Sequence, residues 1–168
     1  MITGLFMDRD SAERGFLAVT GRGYDKGDIN IVMDDDTRKR YFPADPENRT
    51  GLGDKAAEAD ALGGPKGGTL VTLVTAFAAV GTFLLLPGLG VVLAGPVAAA
   101  VAGAGAAAVA GGLIGALHDW GIPKERLEEY EAGIKKSGIL MGVKPRNDED
   151  ARYFEAQWKA AGAQHVYS

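Results

Sequence analysis

The chain has 168 residues, a net charge of −4 and no cysteine. Without a basic stripe it lacks the clustered Lys and Arg that phosphate binding needs, which argues against a nucleic-acid partner. The missing thiols exclude disulfides, thiolate catalysis and cysteine metal sites. From Gly67 to Leu117 there is no Asp, Glu, Lys, Arg or His, and the roughly 115 residues outside that stretch suffice for one small α+β core.

In chain order, residues 3–7 are β-branched and apolar and predict a strand. Asp10 and Ser11 offer an N-cap, with Glu13 at the capping-box position. Ala12, Phe16, Leu17 and Val19 then predict an amphipathic helix over 11–21, closed by Gly21 and Gly23. Residues 28–33 predict a second strand, ended by Asp34, Asp35 and Asp36. The adjacent basic cluster Arg38, Lys39 and Arg40 reads with them as a solvated loop. In the linker that follows, Pro43 and Pro46 break any long element, residues 54–62 allow a short helix, and glycines flanking Pro65 and Lys66 make a hinge.

Beyond the uncharged stretch, Pro123 suits the first turn of a helix whose buried face is Leu127, Tyr130 and Ile134, with Gly138 at its stop. Residues 139–143 predict a strand ended by Pro145. Asn147 and Asp148 cap a further helix, with Asp150 at the capping-box position and Ala151, Phe154, Trp158 and Ala161 on its buried face. Gly162 ends that helix, and residues 164–167 predict the last strand. The expected fold class is α+β: a small ferredoxin-like sheet domain formed by both flanks, residues 1–42 and 118–168. A linker at 43–67 and a hydrophobic α-helical hairpin at 68–117 interrupt it.

Pro87, Gly88 and Gly90 supply the expected turn of that hairpin. Gly95, Ala99, Gly103, Ala107, Gly111 and Gly115 recur every four residues, which on a helix forms one small-residue stripe and a helix-packing interface. One helical crossing needs about 20 apolar residues, so the stretch is long enough for two. Read this way, the hairpin lies in the inner membrane, with Trp120 as an interface anchor. Lys55, Lys66, Lys124 and Arg126 near the outer ends hold both termini in the cytoplasm. The alternative is a water-soluble cytoplasmic shell, cage or filament whose core is built by the packed hairpins. Both readings expect a homo-oligomer, and the first adds membrane lipid. A monomer would leave far more than a few hundred Å² of apolar surface uncovered.

No constellation of catalytic residues is legible. The glycines around Lys66 lack the Lys-Ser/Thr pair of a phosphate loop. Asp34–Asp36 lack the spaced ligands and glycine of a calcium loop. Ser11 and Ser137 have no nearby base, and His118 and His165 have no metal-ligand spacing. The expectation is a non-enzymatic protein with no cofactor, metal or small-molecule substrate. The segments DRDSAERGF, DINIVMDDDTRKRYF and GIPKERLEEYEAGIKKSGILMGV, with the Gly/Ala-rich stretch between the last two, together resemble the bacterial general stress protein 17M-like family, described as glycine-zipper membrane proteins. The resemblance implies an α+β flanking domain and an association with stress, and it supplies no catalytic residues.

Overall fold

The structure, a computed structural model, describes residues 1–41, 83–86, 90–96, 98 and 122–168. Six strands form one antiparallel sheet: β1 (Ile2–Phe6), β2 (Ile29–Asp34), β3 (Phe83–Leu86), β4 (Val91–Ala94), β5 (Ile139–Val143) and β6 (Gln164–Tyr167). Their spatial order is β3-β4-β2-β5-β1-β6. Helix α1 (Arg9–Gly21) connects β1 to β2, a short α2 (Asp35–Tyr41) follows β2, and α3 (Lys124–Lys135) precedes β5. Helix α4 (Asp148–Ala160) joins β5 to β6. The described protein is therefore α+β.

β5 lies between β1 and β2, and β1 lies between β5 and β6, so the two β-α-β units interlock. The registers Ile2↔Val143 to Phe6↔Ile139 and Ile29↔Val143 to Val32↔Leu140 make β5 the centre of the flank-derived sheet. Both of its faces are covered, which explains why ILMGV is continuously apolar rather than alternating. On one face, Phe6, Ile31, Met33 and Met141 meet Phe16 and Val19 of α1 and Phe154 and Trp158 of α4. On the other, Leu5, Val32, Leu93 and Leu140 meet Leu127, Tyr130 and Ile134 of α3, together with Ala98 and Ile122. Each such large apolar side chain, fully buried, contributes about 1.5–3 kcal/mol.

Local chemistry sets the helix ends. Asp8, not Asp10, caps α1: its side chain accepts from Ser11 N at 2.7 Å, two residues earlier than the sequence pattern suggests. Asn147 caps α4 as expected, accepting from Asp150 N at 2.8 Å. The end of α3 is a left-handed turn in which Ser137, at φ 68°, occupies the place glycine usually takes. Ser137 N donates to Ile134 O, and Gly138 N to Gly133 O. Gly133 lets Leu5 pack close against α3: a Cβ there would lie 2.2 Å from Leu5 Cδ2 and would make that side chain shift.

Two expectations are corrected. The acidic and basic runs at 34–40 are not a solvated loop: Asp34 ends β2, and Asp35 to Arg40 lie in helix α2. Asp34 accepts from Thr37 N, and Asp35 pairs with Arg38 at 2.9 Å and Lys39 at 2.6 Å, the spacing of successive helical turns. Residues Phe83–Leu86 and Val91–Ala94 are not the facing ends of two helices either. They are a β-hairpin with register Phe83↔Ala94 to Leu86↔Val91. β4 is also paired onto β2, from Ile31↔Ala94 to Asp34↔Val91. Apart from residues 90, 95, 96 and 98, the remainder of the expected helical hairpin, and the linker at 43–67, lie outside the described residues.

Candidate functional site

Of the residues expected to build the association surface, the structure describes Gly90 and Gly95. Gly90 sits at the turn before β4 with φ 64°, and its carbonyl accepts from Asp35 N at 2.7 Å, which ties the hairpin turn to the start of α2. Gly95 ends β4 with φ 95°. A Cβ on it would lie 2.4 Å from the carbonyl oxygen of Ile29. Its own need for glycine therefore comes from the left-handed backbone and the close approach of β2. Pro87, Gly88, Ala99, Gly103, Ala107, Gly111 and Gly115 lie outside the described residues.

Polar chemistry concentrates in two places that the sequence did not single out. The first joins the end of α1 to the start of α4. Asp150, only 7% exposed, accepts from Arg22 Nε at 2.8 Å and from the Tyr24 hydroxyl at 2.7 Å. The Tyr24 oxygen in turn accepts from Arg146 N at 2.7 Å, and the Arg146 guanidinium lies 4.0 Å above the Tyr24 ring. Arg22 also holds Glu149 at 2.6 Å, and Arg146 reaches Asp28 at 3.3 Å. The Tyr24 hydrogen bond, then Arg22, hold the Asp150 carboxyl below its ordinary range, whereas burial and then Asp150 push the Tyr24 hydroxyl up. Tyr24 stays a neutral donor and Asp150 an anion, each already engaged, so the cluster clamps two helices rather than exposing a reactive group.

The second lies where α3 crosses the outer strand β6. Tyr130 donates to His165 O at 2.9 Å and accepts from Thr3 Oγ1 at 2.7 Å; burial raises its hydroxyl to about 12. One extra residue on β6 between the pairs Thr3↔Tyr167 and Leu5↔Gln164 makes a bulge, with His165 at φ 50°. The bulge brings His165 Nδ1 to 3.0 Å from Glu129, which also accepts from the Tyr167 hydroxyl at 3.0 Å. The Arg126 guanidinium covers the Tyr167 ring at 3.6 Å.

Arg22, Tyr24, Arg146 and Asp150 escape a sequence reading because their partners are more than 120 positions apart. The only local signal is the capping pattern at Asn147–Asp150. Among the described residues no three metal-capable side chains gather. A shallow groove of about 480 Å³ beside Ile2, Pro145 and Ala151 has Asp148, Arg152 and Glu155 on its wall. Arg152 Nε donates to Asp148 O at 3.2 Å beside it. Among the described residues no helix is long and apolar enough to cross a membrane. Compared with protein-family models, curated proteins and solved structures, the chain finds no match.

Proposed function

We propose that this is a non-enzymatic, self-associating protein that works as a water-soluble homo-oligomer in the cytoplasm. It would be built as a ferredoxin-like domain carrying an uncharged insertion, and the family resemblance adds an association with stress. The carrying observation is that the described chain on both sides of each intervening segment is either a strand of one sheet or packed in the core against it. Tyr41 packs on the first cluster and Phe83 opens β3, so the chain between them starts and ends at the same sheet. Ala98 and Ile122 both belong to the second cluster. Each intervening segment must therefore cross a bilayer an even number of times or not at all.

Two helical crossings need about 40 apolar residues. The first segment offers 16 uncharged residues at 67–82, and the second offers 19 at 99–117. Neither is sufficient while the sheet stays intact. A membrane hairpin with its tip at 87–90 would also carry that tip across about 30 Å of hydrocarbon, away from β2. The ladder between β4 and β2 thus supports the soluble reading over the membrane one. The ferredoxin-like assignment rests on the order β2-β5-β1-β6 with α1 and α4 on one face, to which β3 and β4 add an edge. Self-association rests on sequence: the small-residue spacing from Ala99 to Gly115 allows close backbone approach, and so much uncharged chain needs cover from water. The non-enzymatic reading is supported by polar clusters whose members already hold one another.

Lysis without detergent, ultracentrifugation and native mass measurement test this. The expected result is recovery in the supernatant at a multiple of the 17.5 kDa chain. Recovery only in alkali-washed membranes, released by detergent, would overturn the soluble reading, and a 17.5 kDa monomer would overturn self-association. Gly103→Leu and Gly111→Leu are expected to lower the native mass by steric clash in the stripe. An unchanged assembly in both would remove the stripe as the contact.

A further inference from the structure

We draw no further inference here: the strongest candidate, the half-exposed pair of His165 on the bulged edge strand β6 and Glu129 on α3, has no third metal-capable side chain beside it among the described residues, and the bulge that aims His165 also blunts that edge against an added strand.

Discussion

Gly95→Ala separates two accounts of the same residue because they predict opposite signs. If Gly95 were a step in a helical stripe, alanine would stabilise an exposed helix by about 1 kcal/mol. In the structure Gly95 ends β4 at φ 95°, and a Cβ would sit 2.4 Å from Ile29 O. A non-glycine residue in such a left-handed conformation costs about 1–3 kcal/mol. The contact adds about 1–3 kcal/mol of overpacking, because the obstacle is the backbone of β2 and not a side chain that can turn away. The expected loss is about 3 kcal/mol or more. Urea unfolding followed by far-ultraviolet circular dichroism reads it directly: at a slope of about 1–3 kcal/mol per molar, the midpoint falls by about 1 M or more. A midpoint that stays put or rises would refute the turn geometry and, with it, the pairing of β4 on β2.

Three further outcomes follow from the helix caps and buried polar groups. Ser137→Gly relieves the left-handed strain at φ 68° and is expected to raise stability by about 0.5–1 kcal/mol, seen as a higher melting temperature. Tyr130→Phe leaves Thr3 Oγ1 and His165 O without their shared partner and is expected to cost about 1–3 kcal/mol in urea unfolding. Because the folded Tyr130 value is raised from 10.0 to about 12, its stabilising share is complete below pH 10 and is lost as pH rises through 12. The phenylalanine variant should lose that part of the alkaline transition, and an identical transition would count against the burial. Asp150 is held below its ordinary 3.8, so its contribution is present above pH 3.8 and is lost as pH falls through the lower folded value. Melting temperature measured from pH 6 down to pH 2 should fall less steeply in Asp150→Asn than in the parent protein.

The flanks were legible because their elements obey local rules. Strand β5 coincides with residues 139–143, and β6 with 164–167. Leu127, Tyr130 and Ile134 are buried as their helical spacing requires, as are Phe154 and Trp158. At α1 three positions within one turn, Asp8, Asp10 and Ser11, all carry capping side chains, so the pattern does not single out the start. Only Asp8 has the extended backbone, φ −146° and ψ 160°, that points its oxygen at Ser11 N. At 34–40 like charges gathered in blocks resembled a solvated loop. Offset by three and four positions, the same residues pair across a helical turn. The Arg22–Tyr24–Asp150 cluster had no comparable signal, since nothing periodic links residue 22 to residue 150.

The middle of the chain departs from its expectation for a different reason, and the clue lies outside it. Four apolar residues on either side of a Pro-Gly turn fit a buried β-hairpin as well as the joint between two helices, and periodicity cannot separate them. β2 can. Without β4, β2 would be the outer strand of a four-stranded sheet, offering a free edge beside Ile29, Ile31, Val32 and Met33, all buried in the structure. Such an edge has no lysine, proline or bulge to blunt it before Asp34. A sheet closed by the two flanks alone would therefore end on its least protectable strand. Pairing with Val91–Ala94 removes that exposure and places Val92 and Ala94 in the same cluster as Ile31 and Met33. Through Phe83–Leu86 and Val91–Ala94 the uncharged stretch thus completes the sheet it seemed to interrupt.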